Sequence, residues 1–128
     1  MRLLLDTHTF IWFITGNPQL PPKIRHLIAD IDHDVFISMA SLWEMAIKNS
    51  RGKLTFNQPF EKLIPEQLDL NEIQILPITL SDLTNLIYLP FNHRDPFDRL
   101  IVAQAISSEL PIVTRDSEFV NYPVELIW

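Results

Sequence analysis

Cysteine is absent from the chain, which excludes disulfides, thiolate metal sites and a cysteine nucleophile. Glycine occurs only twice, as Gly16 and Gly52, and neither lies in a phosphate-cradling loop, so a P-loop is excluded as well. No apolar run approaches the ~20 residues needed to cross a bilayer. A strand-like segment begins at Arg2 and leaves no room before it for a signal peptide. The expectation is a soluble cytoplasmic protein with no membrane contact. Cations are also scarce, with 10 Lys and Arg against 16 Asp and Glu and a formal net charge of −6. Taken globally, that balance argues against a nucleic-acid binder. A carboxylate cage built to hold divalent cations is the exception, because its negative charge is offset when the cations bind. The four histidines, His8, His26, His33 and His93, lack the spacing of a zinc site. No Gly-x-Ser-x-Gly elbow is present.

What the chain does have is apolar residues, 47% of its 128 positions, enough for the core of one domain spanning 1–128. Their periodicity predicts strands at Arg2–Leu5, Val35–Ser38, Ile73–Ile78, Pro111–Thr114 and Val124–Trp128. It predicts helices at Thr7–Ile14, Pro22–Ile31, Met39–Ser50, Phe60–Leu68, Ser81–Leu89 and Pro96–Glu109. Strands alternating with helices indicate an α/β architecture with a mainly parallel sheet. In such sheets chemistry gathers at the carboxyl ends of the strands, where strand order reverses. Asp6 directly follows the first strand, and Asp116 follows the fourth with one residue between.

The acids each have a purely structural reading beside a functional one. Asp6 is placed to cap the first helix or to face the crevice. Ser41, Glu44, Lys48 and Arg51 share one stripe of a helix that is otherwise apolar nearly all round. That stripe is either a solvent face with a Glu44–Lys48 pair or the acidic wall of a cleft. Asp95 reads as the N-cap before Pro96. Asp98 is a second acid in the same helix start, where one suffices for a cap. Asp116 either caps the turn at Ser117–Phe119 or belongs to a site. As a set, carboxylates crowded together repel one another, and a hard divalent cation keeps them ionised.

The segments Leu3-Leu4-Leu5-Asp6-Thr7-His8, Ser41-Leu42-Trp43-Glu44-Met45-Ala46-Ile47-Lys48, His93-Arg94-Asp95-Pro96-Phe97-Asp98-Arg99 with the apolar helix after it, and Val113-Thr114-Arg115-Asp116 resemble, in this order, the PIN-domain family. Within it they are most similar to VapC-like toxins of bacterial type II toxin–antitoxin systems, over essentially the whole chain. The resemblance implies a three-layer Rossmann-like fold with five strands in the order 3-2-1-4-5. It implies that Asp6, Glu44, Asp98 and Asp116 are the catalytic, metal-binding acids, with Mg²⁺ or Mn²⁺ as cofactor. Thr114 stands where the family often has a small hydroxyl residue, and Lys48, Arg94 and Arg99 are the candidates for holding substrate phosphates. The implied activity is metal-dependent hydrolysis of RNA phosphodiester bonds by an endoribonuclease toxin. The alternative is a PIN-fold binding module for RNA or protein that has lost catalysis. A phosphatase of the haloacid-dehalogenase type is disfavoured by His8, which stands where a second Asp is needed, and a receiver domain by the absence of a lysine after the fourth strand.

The resemblance also implies a cognate antitoxin, and a homodimer is expected. The stretch Thr9–Ile14 and the helix around Leu42, Trp43 and Met45–Ile47 carry more apolar surface than a small core readily hides. The expectation is that these early helices form a hydrophobic groove for an antitoxin segment.

Overall fold

The computed structural model describes residues 1–91 and 95–128. Five strands form one sheet: β1 (Arg2–Leu5), β2 (Asp34–Ser38), β3 (Ile73–Leu76), β4 (Ile112–Val113) and β5 (Leu126–Ile127). Their order is β3-β2-β1-β4-β5, and every pairing is parallel. The order implied by the resemblance is therefore present, and the sheet is wholly parallel. Six helices cover it: α1 (Thr7–Thr15), α2 (Pro22–Ala29), α3 (Met39–Ser50), α4 (Phe60–Leu70), α5 (Leu80–Tyr88) and α6 (Pro96–Ser108).

A parallel sheet is covered on both faces, so its strands are apolar throughout rather than alternating. The strand residues divide between two cores. Leu3, Leu5, Val35, Ile37 and Val113 pack with Phe10 and Phe13 of α1, Ile24 and Ile28 of α2, Leu42 and Met45 of α3, and Ile64 of α4. Leu4, Ile112 and, less deeply, Phe36 and Leu126 pack on the other face with Ile101, Val102 and Ala105 of α6 and with Phe119 and Tyr122. The period-two alternation of side chains along each strand thus generates three layers.

Element ends follow local chemistry. Gly16 closes α1 in the left-handed region, φ 65°, where a residue without Cβ carries no steric penalty. Pro96 opens α6, and Asp95 accepts hydrogen bonds from the Phe97 and Asp98 amides. The third strand ends at Leu76, two residues before the predicted Ile78, because Pro77 supplies no N–H to a ladder. The fourth is assigned over two residues only, yet its hydrogen bonding runs further, with the Leu4 amide on Pro111 O and the Thr114 amide on Ile127 O. A 3₁₀ turn at Ser117–Asn121 occupies the place read from the sequence as a simple turn.

Buried polar side chains tie the layers together. Gln104, wholly buried in α6, accepts from the Ser38 hydroxyl at the end of β2 and donates to Leu76 O and Pro77 O after β3. Among the described residues, no helix is long and apolar enough to cross a membrane.

Candidate active site

Strand order reverses at β1, whose neighbours are β2 and β4. The carboxyl end of β1 is thus the switch-point crevice of an open α/β sheet. Asp6 stands there, buried, as the N-cap of α1. Its Oδ1 accepts the Thr9 amide at 2.7 Å, and its Oδ2 accepts the Thr114 hydroxyl from beyond β4. The same Thr114 oxygen accepts the Asp116 amide at 3.0 Å. One hydroxyl therefore links the two strand-end acids, donating to the first and fixing the backbone of the second. The Thr9 hydroxyl donates to Val113 O at 3.0 Å, which locks α1 to β4 just below. A cavity of about 260 Å³ opens here, lined by Asp6, His8, Thr9, Trp12, Arg115 and Asp116.

Glu44 and Asp98 are positioned differently. Both sit on helices, and neither lines that cavity. Asp98 lies in the first turn of α6, at the carboxyl edge of the sheet, because the far end of α6 feeds the start of β4. Glu44 lies in the middle of α3, and the two helices meet through Trp43 and Phe97, whose ring centroids are 5.0 Å apart, edge to face. Helix α3 is tied in turn to the start of α1 by the Thr7 hydroxyl, which donates to Ser41 Oγ at 2.8 Å in a buried contact. Among the described residues, no three His, Asp or Glu side chains stand close enough together to encage an ion.

The Glu44 stripe is buried at Ser41 and Glu44 and reaches solvent only at Lys48 and Arg51. Ser41 is fully buried and Glu44 is 5% exposed, whereas apolar Trp43 on the same helix is 56% exposed. Glu44 Oε2 accepts Lys48 Nζ at 2.8 Å. Its Oε1 is buried and finds no donor among the described residues.

Two expectations change. Arg99, read as a phosphate contact, is 7% exposed. Its guanidinium donates to Pro90 O at 2.8 Å, Leu86 O at 3.3 Å and Leu89 O at 3.4 Å, and lies over the Phe91 ring. It adds donors to carbonyls at the end of α5, where a helix C-terminus is short of them; the Leu89 amide and the Tyr122 hydroxyl serve Leu86 O and Pro90 O as well. The apolar surplus of α1 also proves to be core, since Phe10 and Phe13 are buried and Ile11, Trp12 and Ile14 pack against them. The open apolar groove lies instead between α3 and α4, about 570 Å³, with Met39, Leu42, Trp43, Ala46, Phe60 and Ile64 in its walls. Periodicity could not assign these roles, because α1 and α3 are equally apolar in sequence and differ only in what packs on them. Arg94 and His93 lie outside the described residues. Sequence reasoning gave Thr9 and Ser41 no role of their own and did not pair Arg115 with Trp12; the signal for the first two is a hydroxyl residue inside an otherwise apolar segment.

Similar folds are found in a crystal structure of VapBC2 from Rickettsia felis bound to a promoter DNA fragment, with a TM-score of 0.76 and 19% identity over 99% of this chain and 98% of that one. FitAcB from Neisseria gonorrhoeae gives 0.71 and 20% over 98% and 96%, and DNA-bound VapBC from Salmonella typhimurium 0.69 and 19% over 99% and 97%. No curated protein sequence matches the chain. The family model for the PIN domain matches residues 3–125, and the chain belongs to the PIN-domain family.

Proposed function

We propose that this chain is a divalent-cation-dependent endoribonuclease acting as the toxin of a type II toxin–antitoxin pair. The observation that carries the reading is the joining of Asp6 and Asp116, through Thr114, in one cavity at the switch point of the sheet.

The residues suit a hard cation. Every acidic donor is a carboxylate oxygen, and Glu44 Oε1 is a buried acceptor with no donor among the described residues, an arrangement whose cost a cation relieves. Asp6 and Asp116 would hold the ion, with Glu44 and Asp98 completing its surroundings directly or through water. An open protein cage agrees with Mg²⁺, which keeps several waters and takes one or two carboxylates together with substrate phosphate oxygens. Such an ion, when bound, supplies an activated water and charge neutralisation at the scissile phosphate. The chain's own contribution is to orient the donors. Asp6 is fixed by a backbone amide and a hydroxyl, and Lys48 balances Glu44.

The toxin reading is supported by the fold shared with VapBC and FitAB complexes. The α3–α4 groove is the apolar surface that suits a segment of a cognate antitoxin. A homodimer belongs to the same proposal, since α5 leaves Leu80, Leu83 and Ile87 exposed. Purified chain incubated with a pool of structured RNAs should cleave them with Mg²⁺ or Mn²⁺. It should stop with EDTA and fail in Asp6→Asn, a change that keeps a good helix cap. Cleavage that survives EDTA, or full activity in Asp6→Asn, contradicts the reading.

A further inference from the structure

The site needs a cation of its own for the substrate backbone, and among the described residues the candidates read from the sequence do not supply it within the cavity. Arg99 is buried on backbone carbonyls, and Lys48 is bonded to Glu44. The cavity that holds Asp6 and Asp116 is lined by one Lys or Arg among the described residues, and it is Arg115. We propose that Arg115, held over the Trp12 ring, is the arm that binds the phosphate backbone of the RNA at this site. The proposal rests on the nuclease reading above and deepens it.

The geometry is specific. Arg115 Cζ lies 4.6 Å from the Trp12 ring centroid, within the range of a cation–π contact. Trp12 is half-buried against the core, and the edge of Trp128, with centroids 6.3 Å apart, braces it. The platform is therefore fixed, whereas Arg115 itself is exposed. A guanidinium held over a ring by its charge leaves N–H groups for a second partner, and its planar fork can meet a phosphate with two parallel hydrogen bonds. Arg115 also precedes Asp116, whose amide is bonded to Thr114 Oγ. One short stretch of backbone thus sets an acid and a cation in register. Two carboxylates repel an approaching phosphodiester, and a positive group at the same mouth reverses that repulsion locally. Arg115 is then a substrate-binding residue, and Trp12 a positioning residue that acts through it.

The test is steady-state cleavage of a quenched fluorescent RNA oligonucleotide with Mn²⁺, at several salt concentrations. The chains compared are wild type, Arg115→Ala, Arg115→Lys, Trp12→Leu, Trp12→Phe and the double variant Arg115→Ala/Trp12→Leu. Arg115→Ala should raise KM about ten- to a hundredfold, with kcat within about threefold. Its slope of log KM against log salt should fall by about 0.7, the share of one single-strand phosphate. Arg115→Lys should recover only part of the loss, having charge without the fork. Trp12→Leu should show a smaller rise in KM, and Trp12→Phe, which keeps a ring, should stay close to wild type. The double variant should be no worse than Arg115→Ala alone, because Trp12 acts through Arg115. If wild type cleaves and Arg115→Ala matches it in KM and salt slope, the phosphate arm is overturned and the nuclease reading stands. If the two single losses add, Trp12 is no positioning residue and the paired device is overturned. If wild type leaves the RNA intact, the nuclease reading fails and takes the arm with it.

Discussion

The four acids divide into two pairs that the fold positions by different means. Asp6 and Asp116 sit beyond the ends of neighbouring strands, β1 and β4. Their positions follow from ladder register and from bonds to an amide and to Thr114. Glu44 and Asp98 ride on helices, and their positions follow from how α3 and α6 pack, through Trp43 on Phe97 and through Gln104 on Ser38. The first pair is part of the fold's own hydrogen bonding. In the second, Glu44 is a burden on the fold, with one buried oxygen lacking a donor among the described residues. Acids of the first kind come almost free once the sheet forms. Those of the second kind need packing that is stable enough to hold an unfavourable group in place.

The largest stability effect is expected where that packing is anchored. Arg99→Ala removes the guanidinium that donates to three backbone carbonyls between α5 and α6. It should lower unfolding free energy by about 2 kcal/mol: Leu86 O and Pro90 O keep the Leu89 amide and the Tyr122 hydroxyl, but hydrogen bonds from a charged donor, worth ~1.5–3 kcal/mol, are lost. Urea unfolding measures this, and a loss under about 1 kcal/mol would show that α6 is not held through Arg99.

A pair of smaller changes sharpens the contrast through opposite signs. Asp6→Ala removes an N-cap and the acceptor for Thr114, and should destabilise by about 1–2 kcal/mol. Glu44→Met replaces a buried, half-satisfied carboxylate with an apolar chain of similar length and leaves Lys48, whose side chain is 42% exposed, free to reach water. It should stabilise the cation-free protein by about 1 kcal/mol. Thermal melts in EDTA decide the matter; a drop in both variants would erase the distinction drawn between the pairs.

Much of the fold was legible because its signals are local. The run Leu3-Leu4-Leu5 before Asp6 marks a strand buried on both faces, and the Asp95-Pro96 start fixes α6. The boundaries of β1 and α3 coincide with those expected, and α2 ends at Ala29 rather than Ile31. The strand-end acids were equally legible, since their place depends on where a strand stops. What α3 does was not. Its apolar residues promised burial, yet Met39 and Trp43 face outward, while Ser41 and Glu44 face in. That inversion depends on α1 supplying Thr7 to Ser41 and on α6 supplying Phe97 to Trp43, contacts across 34 and 54 residues that no local period encodes. Arg99 misled for a similar reason. It belongs by sequence to an acid-rich helix start, and by structure to the far end of the preceding helix.

The central claim is that both pairs serve one cation site, and Mn²⁺ calorimetry tests it most directly. Wild type should bind Mn²⁺, and Asp6→Asn, Asp116→Asn, Glu44→Gln and Asp98→Asn should each weaken that binding about tenfold or more. Each variant should also lose the rise in Tm that the metal gives the wild type. Wild-type affinity and an undiminished rise in Tm in Glu44→Gln and Asp98→Asn would contradict the claim, leaving the strand-end pair as the whole site.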